Sequence, residues 1–145
     1  MPSFSDDERL FKGMPLAHVY KIGDRYRLSS AAFKQGFDKA RNRYVSSCFR
    51  ELFMTLDEFV SYQSAKGRDG WGITDSTCGR VMSAGQSSPP SHCELVQERT
   101  PGDDHEAHCH IYVARNKAAL DRLRSVFEPV RPPAGMESAI WSHDI

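Results

Sequence analysis

The chain lacks the features that would mark a membrane or exported protein. None of its 145 residues lies in an apolar run of about 18 residues, so no stretch is long enough to cross a membrane as a helix. The opening segment, MPSFSDDERLFKGM, carries acidic residues where a secretion signal has basic ones, and it lacks a continuous apolar segment. The sequence therefore predicts a cytoplasmic protein with no membrane partner.

The chain also lacks net charge. Nineteen Lys and Arg residues balance nineteen Asp and Glu residues, so no overall field attracts nucleic acid. A nucleic-acid partner would need a local basic patch, and the candidate is the stretch 34–43, which holds Lys34, Lys39, Arg41 and Arg43 among aromatic residues. The spacing of these charges favours an ordinary solvent-facing surface. Nucleic-acid binding by this stretch is kept as an alternative function.

The cysteines lack any C-x-x-C spacing, which argues against a zinc knuckle or a thioredoxin-type dithiol. They are Cys48, Cys78, Cys93 and Cys109. Without an export signal, reduced thiols are expected rather than disulfides. Chain neighbours on a strand point to opposite faces, so neither Cys93 nor Cys109 can use the adjacent histidine as a base. A cysteine nucleophile is therefore disfavoured.

Length and local pattern together predict an α+β fold. A chain of this size buries roughly 68–70% of its unfolded surface as one domain, so it can form a core without disulfides or metals. The prediction is a single α+β domain over residues 1–128, followed by an extended C-terminal tail over residues 129–145. Strands at 17–22 and 25–28 are predicted to form an N-terminal hairpin, because Gly23–Asp24 suits a tight turn.

Central helices are predicted from apolar spacing and from capping residues. Ser29 or Ser30 is expected to cap the first helix, since a serine hydroxyl satisfies a free N–H of the first turn. Thr55 and Glu58 have the spacing of a capping box and are expected to begin the third helix. The predicted ranges are 31–40, 46–53, 55–67 and 74–85.

The C-terminal third predicts a ββα unit. Segments 91–98 and 108–114 have the composition of strands and are expected to pair in antiparallel fashion across a loop. A helix then follows, with Asn116 as its N-cap, an apolar stripe through Leu120 and Leu123, and a proline just past its end.

The segment HEAHCHIYV concentrates three histidines next to strand-forming residues. Because side chains alternate along a strand, Cys109 and Ile111 are predicted to face the core. His108, His110 and Tyr112 are then predicted to lie side by side on the opposite face. This face is the first candidate binding surface.

The same histidines suggest a metal site as an alternative. Strand positions i and i+2 lie about 6.6–7 Å apart, so His108 and His110 can reach one ion, with His105 as a third ligand. Zinc or another divalent cation held in this way keeps an open position for water. Glu94 or Glu106 would then act as general base in a metal-dependent hydrolase. No H-E-x-x-H signature accompanies the cluster, so the favoured interpretation needs no cofactor.

Three segments resemble a family of small bacterial proteins without an assigned activity. The resemblance lies in an S-S-A-A-F block, in a glycine-aromatic-glycine turn that opens a helix, and in an H-x-x-V strand followed by an arginine-containing helix. His108 falls at the strand histidine of this pattern, whereas His105, Cys109 and His110 depart from it. The resemblance implies a bacterial cytoplasmic protein and indicates no substrate. The segments are RLSSAAF (27–33), GWGITDSTCGRVMSAG (70–85) and DDHEAHCHIYVARNKAALDRLRS (103–125).

The sequence thus favours binding over catalysis. The predicted function is that of a small binding or accessory protein that engages a protein partner or a ligand. The predicted contact residues are His108, His110, Tyr112 and Trp141, because amphipathic and aromatic side chains suit such surfaces.

Overall fold

A computed structural model describes residues 3–23, 25–29, 31–84, 93–97, 105–128 and 130–131. The strands within these ranges are β1 (Arg9–Met14), β2 (Val19–Ile22), β3 (Arg25–Leu28), β4 (Gly36–Asp38), β5 (Arg43–Arg50), β6 (Gly72–Thr77), β7 (Cys93–Val96) and β8 (His108–Ala114). The α-helices are α1 (Leu56–Ala65), α2 (Cys78–Ala84) and α3 (Lys117–Phe127), and a short 3-10 turn, Leu16–His18, precedes β2.

An antiparallel sheet in the order β6-β1-β5-β8-β7 forms the centre of the molecule, and β2 and β3 form a separate hairpin. β5 pairs with β8 from Arg43 to Phe49. Its other edge is divided between two shorter partners, because β4 pairs with residues 43–45 and β1 pairs only with Phe49 and Arg50. In the described chain, residues 46–48 therefore lie in a gap on this edge of β5.

One face of the sheet carries the main apolar core. Helices α2 and α3 and the β2–β3 hairpin cover it, since each contributes fully buried side chains to a single cluster. The predicted alternation along β8 is confirmed, because Cys109 and Ile111 are 0% exposed and Val113 is 1% exposed on this face. Phe33 and Phe127 meet here with their ring centres 5.5 Å apart.

Among the described residues, the opposite face is covered only in part. Helix α1 packs across one end of it through Phe59, which contacts Phe11 and Phe49 at ring-centre distances of 5.7 and 5.4 Å. The helix begins where the sequence predicts, because Thr55 and Glu58 form both hydrogen bonds of the capping box.

The α+β class is confirmed, with the N-terminal hairpin, central helices and C-terminal ββα unit that the sequence predicts. β2 and β3 form the hairpin, and β7, β8 and α3 form the ββα unit. Asn116 caps α3 by accepting a hydrogen bond from the Ala119 N–H at 2.8 Å. No helix of the described chain is both long and apolar enough to pass through a membrane.

The helix predicted over 46–53 is wrong, because most of this segment belongs to β5. Its apolar residues do not alternate cleanly, since β5 is covered on both faces: Cys48 faces the main core and Phe49 faces α1. A strand buried on both sides loses the two-residue period that distinguishes it from a helix. Pairing with β8 decides the structure.

The helix predicted over 31–40 is also wrong. Its residues form a turn and then β4, which pairs with β5 as a hairpin, and Asn42 adopts a positive φ of 53° in the connection. Phe37 on β4 is 42% exposed. Ser29 accepts a turn hydrogen bond through its backbone oxygen and caps no helix, while Ser30 lies outside the described residues.

The helix predicted over 74–85 begins later than expected. Residues Gly72–Thr77 form the edge strand β6, which pairs with β1 along its length, and α2 starts only at Cys78. Beyond α3, Val130 is buried and Arg131 pairs with Ile73 in an isolated bridge. The predicted tail otherwise lies outside the described residues, and the boundary at 128/129 stays a prediction.

All four cysteines are free and buried. Cys48 and Cys109 are cross-strand neighbours with their Sγ atoms 3.0 Å apart. Burial raises the pKa of the Cys78 thiol to about 12 and that of the Cys93 thiol to about 11. Protonated, buried thiols are poor nucleophiles.

Candidate functional site

The gap between β1 and β5 opens into a cleft of about 300 Å³. Its floor is formed by buried side chains, and its rim is formed by partly or fully exposed ones. The lining residues are Lys12, Gly13, Gln35, Gly36, Val45, Ser46, Ser47, Phe49, Gln63, Arg68 and Trp71.

Lys12 is the most unusual residue of this cleft, because it is only 4% exposed in the middle of β1. Its Nζ donates a hydrogen bond to the Ser47 carbonyl at 2.9 Å, an oxygen in the part of β5 that β1 leaves unpaired. Among the described residues this is its one hydrogen-bond acceptor, although an ammonium group carries three donors. Burial, and to a smaller extent the positive charge of Arg68, lowers the pKa of Lys12 to about 8.

Gln63 supplies a second donor without a matching acceptor. Its side chain reaches from α1 towards β1, and it is 4% exposed. The Oε1 atom faces the Arg68 guanidinium at 3.4 Å, whereas the buried Nε2 atom has no hydrogen-bond partner in the part of the chain that the structure describes. Gly13 makes this position possible, because a Cβ atom there would overlap Gln63 Nε2.

Arg68 provides a fixed positive charge at the same cleft. Its guanidinium carbon lies 4.9 Å from the centre of the Trp71 ring, so the indole supports it from one side. Among the described lining residues there is no Asp or Glu. A cleft with two cationic groups, an amide donor and no carboxylate favours a ligand that is negatively charged and accepts hydrogen bonds.

The predicted histidine face lies next to this cleft. His108 and His110 are neighbours with ring centres 4.7 Å apart, and Tyr112 follows at 6.2 Å from His110. These three side chains therefore lie side by side, as the alternation along β8 predicts. Tyr112 is nevertheless 8% exposed, because the Arg41 guanidinium covers its ring at 4.1 Å.

His108 connects the histidine face to the cleft. Its Nε2 atom is hydrogen-bonded to the Ser47 hydroxyl at 2.8 Å, and Ser47 also lines the cleft. On its other side, His108 packs against Phe49 at a ring-centre distance of 5.3 Å. Ser47 therefore contributes its carbonyl to Lys12 and its hydroxyl to His108.

His105 does not join the other two histidines in a ligand set. Its Nδ1 atom accepts a hydrogen bond from the Ala107 N–H at 3.0 Å, and its ring lies against Tyr62. Within the part of the chain that the structure describes, no three His, Cys, Asp or Glu side chains are grouped so as to hold a metal ion. The side-chain positions therefore give the metal hypothesis no support, and it stays a prediction.

The two predicted general bases are placed apart from Lys12. Glu94 faces the Arg41 and Arg43 guanidiniums at 3.8 and 3.7 Å, near the far end of β8. Glu106 is exposed, and its backbone oxygen accepts a hydrogen bond from Gln97. Neither residue lines the cleft.

The remaining predicted contacts fall outside the cleft. Arg41 and Arg43 of the basic stretch face Glu94 and do not lie on a helix. Lys34 lines a separate cleft of about 320 Å³ together with Arg115 at the start of α3. Trp141 lies outside the described residues.

The sequence contained one overlooked signal for the cleft. In the run RLFKGM, Lys12 stands between Leu10 and Met14 at two-residue spacing, which places a charged residue on an apolar strand face. A charge at such a position requires a partner or a function. Gln63 and Arg68 offered no comparable signal, because both look like ordinary surface residues at the end of an amphipathic helix.

Comparison with protein-family models, with curated proteins and with solved structures finds no match. The resemblance to small bacterial proteins therefore stays a prediction, and the geometry of the cleft is the basis for a functional proposal.

Proposed function

We propose that this chain is a small-molecule binding protein and that the cleft between β1 and β5 takes a carboxylate-bearing ligand. The observation that carries the proposal is the buried Gln63 Nε2, which has no partner among the described residues and lies in the same cleft as the buried Lys12. Leaving a buried donor unsatisfied costs about 1–3 kcal/mol. A ligand that accepts hydrogen bonds from both residues removes that cost when it binds.

The shape and charge of the cleft define the ligand further. A volume of about 300 Å³ is at the lower end for ligand pockets, so a compact molecule fits it. Arg68 and the Gln63 amide can each donate to a carboxylate, and Trp71 offers an apolar wall. The Lys12 ammonium then contacts the part of the ligand that enters the buried floor of the cleft.

Trp71 allows a direct binding experiment. The chain has two tryptophans, so a Trp141→Phe background leaves Trp71 as the single indole reporter within the cleft. A series of small monocarboxylates is titrated against this protein, with the corresponding neutral amides as controls. Saturable changes in emission with carboxylates and not with amides are expected, and no change with any carboxylate at millimolar concentration contradicts the proposal.

The chain offers a matched control for the charge. Arg68 lies 4.9 Å from the Trp71 ring and Arg115 lies 4.9 Å from the Phe37 ring, so both are arginines supported by an aromatic side chain. Arg68→Met is expected to weaken carboxylate binding by about tenfold or more, from the loss of a charged hydrogen bond of roughly 1.5–3 kcal/mol. Arg115→Met is expected to leave the affinity unchanged.

Binding of a protein partner on the His108, His110 and Tyr112 face belongs to the same functional class. The row of neighbouring rings from Phe49 through His108 and His110 to Tyr112 is the observation that favours it. The cytoplasmic location, the nucleic-acid alternative and the metal-dependent hydrolase remain predictions from the sequence.

A further inference from the structure

The burial of Lys12 is not explained by ligand binding alone. A lysine that only neutralises a carboxylate can stay at the rim, as Arg68 does, and keep most of its hydration. Lys12 instead extends from the middle of a strand into the protein, where its three donors face one hydrogen-bond acceptor among the described residues, the Ser47 carbonyl, and the centre of the Phe33 ring lies 5.6 Å from Nζ. An amine in such a place is destabilised in its charged form and retains a lone pair for chemistry.

We propose that Lys12 forms an imine with the carbonyl carbon of a 2-oxo carboxylate bound in this cleft. The proposal rests on the proposed function, because Arg68 and Gln63 hold the carboxylate in both. In a 2-oxo acid the carbonyl group is adjacent to the carboxylate. A ligand held by its carboxylate near the rim therefore presents an electrophilic carbon towards the floor, where Lys12 lies.

The reaction balances without any added oxidant or reductant. The neutral Lys12 amine attacks the carbonyl carbon, the carbonyl π pair moves to oxygen, and one amine proton transfers to that oxygen to give a carbinolamine. The hydroxyl group then leaves with the second amine proton as water, so that ketone and amine become imine and water. The Ser47 hydroxyl, hydrogen-bonded to His108, lines the cleft and offers a route for these protons.

The protonation state of Lys12 supports the geometry. With its pKa lowered by burial to about 8, about one Lys12 side chain in ten is neutral at pH 7. An ordinary lysine with a pKa near 10.4 has only a few neutral amines in ten thousand at that pH. Lys12 is therefore distinguished from exposed lysines in the availability of its lone pair as well as in its position.

Reductive trapping tests the proposal. The full chain is incubated with pyruvate and sodium cyanoborohydride at neutral pH, and the adduct is located by peptide mass mapping. Labelling of Lys12 is expected to exceed that of each other lysine by at least about tenfold, because its amine is more often neutral and the carboxylate is held beside it. Labelling spread evenly over exposed lysines overturns the proposal.

Variants and a substrate analogue distinguish imine formation at Lys12 from ligand binding in the cleft. Lys12→Met is expected to abolish the dominant adduct, whereas Lys21→Met, which removes an exposed lysine near the Tyr26 ring, is expected to retain it. Arg68→Met is expected to lower the labelling of Lys12. If Lys12 is labelled in Arg68→Met as strongly as in the unchanged protein, Arg68 does not orient the ligand, and the proposed arrangement is contradicted.

Lactate serves as the analogue, because it keeps the carboxylate and replaces the oxo group by a hydroxyl. Lactate is expected to perturb Trp71 emission and to compete with pyruvate, but to give no adduct. If lactate and pyruvate both bind and no Lys12 adduct forms, the imine proposal fails and the binding proposal stands. If neither perturbs Trp71 nor labels Lys12, both fail.

Discussion

β1 and β5 each bury a cation, and the two cations have opposite surroundings. Arg50 on β5 is 0% exposed, and its guanidinium is held by the Glu8 carboxylate at 2.7 and 2.8 Å and by Gln97 Oε1 at 2.6 Å. Lys12 on β1 is nearly as buried, and one carbonyl oxygen is its acceptor among the described residues. The two strands pair with each other close to Arg50 and separate towards Lys12.

We interpret the burial of Arg50 as structural and the burial of Lys12 as functional. Around Arg50 each polar group is matched, and Gln97 extends the network by donating to the Glu106 carbonyl, so this region connects the N-terminal segment to the β7–β8 hairpin. Around Lys12 the described residues supply one acceptor for three ammonium donors, and they supply none for the Gln63 Nε2 atom. Fully satisfied networks stabilise a fold, whereas the unsatisfied groups of the cleft are the basis of the ligand site proposed above.

The largest effect is expected when the Arg50 network is broken. Glu8→Gln removes the carboxylate and leaves the buried guanidinium without its counter-charge, which is expected to lower the free energy of unfolding by about 3–5 kcal/mol. The measurement is equilibrium denaturation in urea. Asp7→Asn, at an exposed neighbouring acid, is the control, with an expected change within about 0.5 kcal/mol. A loss at position 8 no larger than that of the control contradicts the structural role.

The helix caps are predictable from the sequence, whereas strand β5 is not. The caps of α1 and α3 are predictable because a capping box and an Asn N-cap are decided by residues within one helical turn. β5 is not, because its structure depends on pairing with β8, about 60 residues away. Long-range pairing overrides the local helical spacing around Cys48 and Phe49.

The same reasoning applies to the candidate site. The histidine face follows from alternation along one strand, so its arrangement is predictable from six residues. The cleft combines Lys12 of β1, Ser47 of β5 and Gln63 of α1, three elements whose meeting no local pattern encodes. Only the lysine between two apolar strand positions indicates in advance that something unusual lies there.

The second largest effect is expected at Lys12, with the opposite sign. Lowering of its pKa from 10.5 to about 8 corresponds to a cost of about 3 kcal/mol for keeping the ammonium buried. Lys12→Met removes this cost and also the hydrogen bond to Ser47, worth about 1 kcal/mol. The variant is therefore expected to be about 2 kcal/mol more stable at pH 7, measured by urea denaturation. A destabilised variant contradicts the contrast with Arg50.

The pH dependence of the Lys12 effect has a defined sign. Between pH 8 and pH 10.5 the unfolded chain holds a proton on Lys12 that the folded chain has released, so the native protein gains stability as pH rises through this window. Below pH 8 both states hold the proton and the full cost applies. The advantage of Lys12→Met is therefore expected to shrink from pH 8 towards pH 10.5, and an advantage independent of pH points to a cause other than the buried charge.

A smaller gain is expected when the unpartnered amide is removed. Gln63→Met keeps the length of the side chain and eliminates the buried Nε2 donor, so the free energy of unfolding is expected to rise by about 1 kcal/mol. Gln97→Met is the matched control, because both amide atoms of this buried glutamine have partners, Arg50 and the Glu106 carbonyl. This control is expected to lose about 1–3 kcal/mol. If Gln63→Met and Gln97→Met change the free energy of unfolding in the same direction, the proposed difference between the surroundings of Lys12 and those of Arg50 is contradicted.

The smallest effect is expected where charges meet in solvent. Glu94 faces Arg41 and Arg43, but its side chain is 43% exposed and the distances are 3.7–3.8 Å. Water already stabilises these charges, so Glu94→Gln is expected to change the free energy of unfolding by no more than about 0.5 kcal/mol. The chemical change is identical to that in Glu8→Gln, where the acid is 7% exposed. Burial is therefore the variable that separates the two substitutions, and equal losses at positions 8 and 94 in urea denaturation contradict the view that satisfied burial gives the Arg50 network its strength.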